Sequence, residues 1–428
     1  MAMGSASSAR FRPIYNWQDD VEDLEDYRWG GYHPIRLGDD LSNRRYYIVH
    51  KLGYGRSSTV WLVRDRVENR YVSLKVITAR HSKLSPEVDV RNRLRCGDRH
   101  HPGHPFVLSP LNEFYIDGPN GRHLCLVSEL AGPSILEVKM AAEHGMLSIE
   151  AAQNITAQLA LGLSYVHSCG VIHGDIHTHN VASQIPNLDS WTAEKIYENF
   201  GEPERSPILR CDNEPLGPEA PPYAVPPAYF WSIGEENLTK QIKIIDFGEA
   251  SFSQDERKKL HTPMPFRAPE SFFGELIGPA ADVWAFGCTV FNVFANGQLF
   301  DGFMSSEDAI LVGMVDSLGV LPPQWWEKWE CRSYYFSSDR TPKASITAHD
   351  PGPSKPLALR IQEMRSSGDQ SEGALRPFKP DEMVNLQNLL AATLKYLPSE
   401  RVTADDVSKL EWIHQLFLRS RTNESDAL

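Results

Sequence analysis

The run Val171-Ile-His-Gly-Asp-Ile-His-Thr-His-Asn180 sets an aspartate and an asparagine five residues apart behind a His-Gly pair. Phosphoryl transfer asks little of a protein beyond a positioned base and metal ligands converging on one spot. Asp175 would accept the proton of an attacking hydroxyl. Asn180 would hold Mg2+ on the phosphates of ATP. Short His/Asp/Asn runs also occur in ordinary loops. The weight here comes from partner motifs before and after the run, in the order such chemistry needs.

The nucleotide side comes first in the chain. Lys51-Leu-Gly-Tyr-Gly-Arg-Ser-Ser-Thr-Val-Trp61 sits between two strand-like runs, 45–50 and 59–64. Glycine lets a backbone approach phosphates where a side chain would collide. Leu52, Gly53, Tyr54, Gly55, Arg56, Ser57, Ser58 and Val60 are therefore candidates for the ATP-binding surface, although a plain hairpin turn could carry the same two glycines. The next strand, Tyr71-Val-Ser-Leu-Lys-Val-Ile77, alternates around Lys75. A lysine among apolar neighbours is costly unless paired. A phosphate and a carboxylate would both relieve it. Glu87, in the helix-like segment 85–94, is the candidate carboxylate, with Asp89 close by.

The second metal signal is Ile242-Lys-Ile-Ile-Asp-Phe-Gly248, where a β-branched strand delivers Asp246 to a Phe-Gly turn. Asp246 would bind Mg2+, and Phe247 would pack beneath the helix carrying Glu87. Arg267-Ala-Pro-Glu270 and Asp282-Val-Trp-Ala-Phe-Gly287 follow. Glu270 is expected to pair with Arg401, and Asp282 to accept hydrogen bonds from the catalytic-loop backbone. These ordered motifs specify an α+β chain with the bilobal eukaryotic protein-kinase fold. It has a small β-rich N-lobe with one main helix and a larger helical C-lobe.

Tyr27-Arg-Trp-Gly-Gly-Tyr-His-Pro-Ile-Arg-Leu-Gly-Asp39 and the Ser-Thr-Val-Trp of the glycine loop resemble the SR-protein kinases. So do Gly118-Pro-Asn-Gly-Arg-His-Leu-Cys-Leu-Val127 and the long break before Asp-Phe-Gly. The resemblance covers roughly residues 27–415 and is nearest to the fungal branch. It implies an ATP-dependent serine/threonine kinase acting on basic Arg/Ser-rich splicing factors, and hence regulation of mRNA splicing. It also implies acidic docking residues late in the chain. Asp308 and Asp316, eight apart on an amphipathic helix-like segment, would fall near one face and are the candidates.

Several positions depart from the usual kinase pattern. The arginine that often precedes the catalytic aspartate, and reads a phosphate on the activation loop, is Gly174. Activity independent of loop phosphorylation is expected. The lysine two residues after the aspartate is His177, which would steady the transferring phosphate with less charge. Thr262 stands one residue off the spacing for the threonine that contacts the catalytic aspartate. In the hinge run Leu126-Val-Ser-Glu-Leu-Ala131, Ser128 takes the gatekeeper position, and the Glu129 carbonyl and Ala131 amide would meet adenine. Ser73 above the base and Ala182 below it would give a roomier, more polar pocket.

Organisation follows from the motifs. Residues 1–25 read as a loose N-terminal segment, 26–128 as the N-lobe, 129–420 as the C-lobe and 421–428 as a C-terminal tail. The C-lobe carries inserts at 183–240 and 336–380. The first insert is rich in proline, which forbids a central strand or helix. Its aromatics suggest that it docks on the lobes. The second reads as a polar surface loop. The histidines of Asp98-Arg-His-His-Pro-Gly-His104 match no familiar metal-ligand spacing. A formal charge of −13 suits a basic substrate and disfavours direct nucleic-acid binding, although acidity also serves solubility. Six scattered cysteines with no Cys-x-x-Cys pair fit a reduced cytoplasmic or nuclear compartment. No apolar run is long enough for a bilayer, no signal peptide is evident, and a monomer is expected. Two other classes stay open. His-Gly-Asp-x-His-x-x-Asn also occurs in aminoglycoside- and choline-type small-molecule phosphotransferases. The departures at Gly174, His177 and the pocket would also suit a pseudokinase scaffold.

Overall fold

The computed structural model describes residues 12–83, 86–185, 188–229, 238, 240–301, 306–343, 355–365 and 376–425. These fall into two compact units. The first holds 12–83, 109–130 and 188–229; the second holds the rest.

The first unit is built on a six-stranded antiparallel sheet: β1 (Asp40–Leu41), β2 (Tyr46–Gly55), β3 (Ser58–Asp65), β4 (Arg70–Ile77), β5 (Pro110–Gly118) and β6 (Gly121–Glu129). Their spatial order is β1-β2-β3-β4-β6-β5. Tyr46, Ile48, Trp61, Val63, Val72, Leu74, Val76, Cys125 and Val127 form one buried apolar cluster on this sheet. Strand alternation then puts Val60, Leu62, Ser73, Lys75, Leu126 and Ser128 on the other face, and the register confirms it: Val60 and Leu126 lie opposite Lys75, and Leu62 and Ser128 opposite Ser73. Lys75 is half-buried there rather than inside the sheet's main core.

A second apolar cluster corrects the expectation of a loose N-terminal segment over residues 12–25, the part of 1–25 that is described. Tyr15, Leu24, Tyr27 and Tyr32 pack with Ile208, Ala220 and Ala224 of the proline-rich insert. Asn16 N donates to Leu209 O and Cys211 N to Ile14 O. Glu22, 2% exposed, pairs with the fully buried Lys51. The apolar residues of the N-terminal segment are hidden among acidic ones, and their partners lie almost two hundred residues away. The insert therefore belongs to the first unit, although its sequence position places it in the C-lobe. It does contain a helix, Ala193–Phe200, capped by Thr192 and falling in its proline-free part. Its proline-rich part pairs over only two residues per strand, Ser206–Pro207 with Tyr223–Ala224.

The second unit is helical. The Ile149–Ser168 helix, almost wholly buried and N-capped by Ser148, packs against the Pro279–Phe294 helix. The Glu87–Arg95 helix groups with this unit. The reason is local packing. The Tyr165 hydroxyl donates to Leu94 O, and a Cβ on Gly103 would stand 1.8 Å from Leu161 O. The histidine-rich turn is thereby seated on the long helix, with the His101 and His104 rings against Tyr165. No group of three or more metal-ligating side chains occurs among the described residues. Residues 336–380 are not simply a loop: Leu357–Glu363 is a helix burying Leu357 and Ile361. The remainder of that insert, 344–354 and 366–375, lies outside the described residues, as do 1–11, 230–237, 239 and 426–428. No described helix is long and apolar enough to cross a membrane.

Candidate active site

In the second unit, two short antiparallel ladders bring the catalytic run beside the Asp-Phe-Gly turn. Val171–Ile172 pairs with Ser251–Phe252, and Val181–Ser183 pairs with Ile242–Ile244. Cross-links complete the frame. Ile245 N donates to Asn180 O at 2.9 Å. His173 Nδ1 accepts from Asp175 N at 3.2 Å, which leaves the proton on Nε2 to donate to Ile245 O at 3.0 Å. The His173 ring also lies against Phe247, 4.8 Å between centroids. As expected, Phe247 is buried and its turn packs on the Glu87–Arg95 helix.

Asp282 holds the other end of the loop. Its Oδ1 accepts from Gly174 N at 2.8 Å and its Oδ2 from His173 N at 2.7 Å. His167 Nε2 stands 2.9 Å from Oδ2. Burial alone would raise this carboxyl, but the His167 hydrogen bond and charge, with those amides, hold it below the usual carboxylate range.

Asp175, the candidate base, lies between these supports. Asn180 Nδ2 donates to its Oδ2 and to its backbone carbonyl, both at 2.9 Å. His177 Nδ1 accepts from His179 N at 3.3 Å, and its Nε2 lies 3.3 Å from Asp175 Oδ2 and 3.2 Å from Asn180 Nδ2. The carboxylate is thus fixed through one oxygen. The other, Oδ1, is shielded from solvent and has no hydrogen-bond partner among the described residues. An oriented but unsatisfied acceptor is what a base for a hydroxyl proton requires. Because Nδ2 of Asn180 is engaged with Asp175, its amide oxygen is the atom able to meet a cation. Asp246 is exposed, in a left-handed conformation with φ 59°, and its Oδ1 accepts from Gly248 N at 3.2 Å. A non-glycine residue held there stores strain. One carboxylate and one amide oxygen fit Mg2+, which keeps several waters and substrate phosphates as its other ligands.

In the first unit, Gly55 and Ser58 close a hairpin whose tip is Arg56 and Ser57, and Gly53 lies opposite Val60. A Cβ on Gly53 or Gly55 would meet nothing within 4 Å. Neither glycine has positive φ. Neither packing nor backbone strain therefore demands glycine, and clearance for an approaching ligand remains. Leu52 is the extra residue of a bulge between Lys51 and Gly53. Tyr54 stands 42% exposed on the same strand. At the hinge end, Ser128 is buried, Ser109 N donates to Glu129 Oε1 at 2.6 Å, and the Ser73 hydroxyl donates to Glu129 O at 3.2 Å. Lys75 stands in this unit, whereas Glu87, Ala131 and the buried Ala182 stand in the second.

Comparison with known proteins now decides the family. The protein kinase domain family matches residues 46–187 and 234–413. The chain belongs to it. Similar proteins include the serine/threonine-protein kinase SRPK of Physarum polycephalum, 26% identical over 90% of this chain and 89% of that protein. A serine/threonine protein kinase of Aspergillus fumigatus is 30% identical over 74% of this chain and 77% of its own. Protein kinase dsk1 of Schizosaccharomyces pombe is 27% identical over 71% of each. The protein is a serine/threonine protein kinase similar to the SR-protein kinases, and the kinase domain implies use of ATP, typically with Mg2+.

Beyond the catalytic loop, the kinase's activation segment shows what sequence reasoning missed. Arg257 Nη2 pairs with Glu249 Oε2 at 2.7 Å, and Arg257 Nη1 also donates to Glu249 O. His261 Nδ1 lies 2.9 Å from the same carboxylate. Gly174, with φ 77°, lies directly beneath: a Cβ there would come within 2.8 Å of Glu249 O and 3.2 Å of Arg257 Nη1. The glycine is thus explained by room for this pair. A cation separated from Gly174 by eighty-three positions carries no local sequence signal. Thr262, despite its spacing, donates to Gly174 O at 2.6 Å rather than to Asp175. The Glu270–Arg401 pair is bidentate and buried, at 2.8 and 2.7 Å.

The expected docking carboxylates are engaged internally. Asp308 Oδ1 accepts from Trp329 Nε1 at 2.6 Å. Asp316 Oδ2 accepts from Lys355 N and pairs with Arg360, both at 3.2 Å. Both lie on the Glu307–Leu318 helix, but each is turned to a different partner, so they do not form one open acidic face.

Proposed function

We propose that this kinase transfers the γ-phosphoryl group of ATP to serines in basic, Arg/Ser-rich proteins of the splicing-factor kind. The observation that carries the chemistry is the Asp175 carboxylate, held on Oδ2 by Asn180 and His177 while buried Oδ1 has no partner among the described residues. In this reading Asp175 Oδ1 accepts the serine hydroxyl proton. The 53–58 loop and Lys75 hold the phosphates, and Glu87 is the candidate carboxylate for Lys75. Asn180 and Asp246 hold Mg2+, which neutralises charge on the phosphates when bound. Ser128, Glu129, Ala131, Ser73 and Ala182 surround the base. The substrate class rests on the SR-protein kinase relatives and on the net charge of −13. It carries with it a cytoplasmic or nuclear site of action.

The test is a radiolabelled-ATP assay with an Arg/Ser-repeat peptide, a generic basic protein and an aminoglycoside side by side. The Arg/Ser peptide should be the best substrate by kcat/KM. Label on the aminoglycoside alone would return the site to small-molecule chemistry. No transfer to any acceptor would make the protein a scaffold.

A further inference from the structure

We propose that Tyr32 is a positioning residue for the phosphate-binding loop: its hydroxyl holds the Gly55 carbonyl, and so aims the amide that follows at the phosphates of ATP. This rests on reading 53–58 as the ATP loop.

The contact is direct. Tyr32, 3% exposed, donates from its hydroxyl to Gly55 O at 2.8 Å. A trans peptide is planar, with its N–H pointing opposite to its C=O. Fixing the Gly55 carbonyl on one side therefore fixes the Arg56 N–H on the other. The tip is gripped a second time, since Thr78 N donates to Ser57 O at 2.8 Å. A glycine-rich hairpin left to itself would sample many such peptide orientations. Two anchors, on the Gly55 and Ser57 carbonyls either side of Arg56, remove that freedom before the ligand arrives, which is how preorganisation raises affinity.

Tyr32 is itself immobilised. Its N–H donates to Asp26 O at 2.9 Å, and its carbonyl accepts from Asn120 Nδ2 at 2.7 Å. The same Asn120 nitrogen donates to Glu219 O of the insert at 2.7 Å. Burial, with Glu22 and Asp26 nearby, pushes the phenol up to about 12, so the hydroxyl remains a donor at neutral pH. The base of the loop is tied to the same elements. Buried Lys51 pairs with Glu22 of the N-terminal segment, and Lys51 O accepts from Ala228 N of the insert at 2.9 Å. Segments distant in sequence thus converge on the middle and the tip-side end of one β-hairpin strand. The family's catalytic motifs contain neither of them.

The test compares the full chain with Tyr32→Phe, which keeps the ring and removes only the donor. Binding of ATP with Mg2+ and of adenosine is measured by calorimetry, with steady-state kinetics alongside. The dissociation constant and KM for ATP should rise about three- to tenfold, the range of one lost hydrogen bond. Adenosine, which has no phosphates, should bind within about twofold of wild type, and kcat and the melting temperature should hold. A merely structural role for Tyr32 would weaken both ligands together or neither. Equal ATP affinity in wild type and variant, or an equal loss for adenosine, overturns the proposal. A wild type that binds no ATP overturns the reading of the loop itself, and this inference with it.

Discussion

His177 Nε2 stands 3.3 Å from Asp175 Oδ2, sharing that oxygen with Asn180. The histidine replacing the usual lysine therefore supports the proposed base in this structure. Asp175→Asn should lower kcat by about three orders of magnitude with the melting temperature unchanged. His177→Ala should lower kcat by roughly tenfold and leave KM for ATP in place, since only the orientation of the base is lost. His177→Lys should preserve turnover, because an ammonium can make the same contact. Steady-state kinetics on the three variants decide this. A His177→Ala enzyme with wild-type kcat would remove the supporting role.

Gly174 and Arg257 make a second testable pair. The activation segment already carries a carboxylate, Glu249, between Arg257 and His261. No phosphate is needed to create that attraction. Phosphatase treatment should leave kcat/KM within about twofold of the untreated enzyme. Gly174→Arg, which installs the more usual residue, meets both positive φ and the Glu249 carbonyl. It should cost about 2 kcal/mol or more of stability, read by chemical denaturation. An unaltered denaturation midpoint would show that the segment moves aside freely.

Much of this was legible in the sequence because kinase chemistry compresses its ligands into short runs. Asp175 and Asn180 are five apart, and Asp246 sits at the end of a three-residue strand, Ile242–Ile244. Glu270–Arg401 could be anticipated because both ends lie in motifs. Arg257 beside Gly174, Tyr32 on Gly55 and Glu22 on Lys51 could not. Each joins a residue of ordinary type to a distant one, and nothing in local periodicity marks a single buried partner. The same reason hid the packing of residues 12–25, whose few apolar side chains are separated by acidic ones. The internal partners of Asp308 and Asp316 were hidden for a different reason. Helical spacing gives their approximate direction but not the presence of Trp329 and Arg360.

Asp282 links the catalytic loop to acid stability. His167, His173 N and Gly174 N favour its ionised form against the cost of burial. The folded carboxyl therefore ionises at lower pH than the unfolded one, near about 3.9. Its contribution is complete above the unfolded value and is lost as pH falls through the folded value. Denaturation between about pH 3 and pH 7 should show this loss at the acid end of the wild-type profile. Asp282→Asn should be less stable at neutral pH, with a shallower fall below about pH 4. Parallel profiles for the two proteins would mean that Asp282 contributes nothing to the acid limb.

Ser128 sets the last prediction. It lies opposite Ser73 in the β4–β6 register, on the face that also carries Lys75 and Leu126. Two serines facing each other leave this part of the surface low, where larger apolar residues would fill it. An ATP-site ligand with a bulky group on the adenine N6 position should therefore bind the wild type without engineering. Ser128→Phe adds a ring at a position only 3% exposed, and packed interiors tolerate little added volume. In the proposed pocket the ring would extend along the Lys75 face, into the space a bulky substituent would use. ATP carries no such substituent, and its contacts with Glu129 O and the Ala131 amide are proposed to be backbone ones that the change leaves in place. Ser128→Phe should thus lose the thermal shift given by a bulky ATP-site inhibitor while keeping its kcat with ATP within a few-fold. Equal shifts for both proteins would show that residue 128 does not line the nucleotide pocket and that the hinge register is displaced. Loss of ATP turnover together with the inhibitor shift would instead mean that the ring disturbs β4 and Lys75, which the melting temperature without ligand reveals directly.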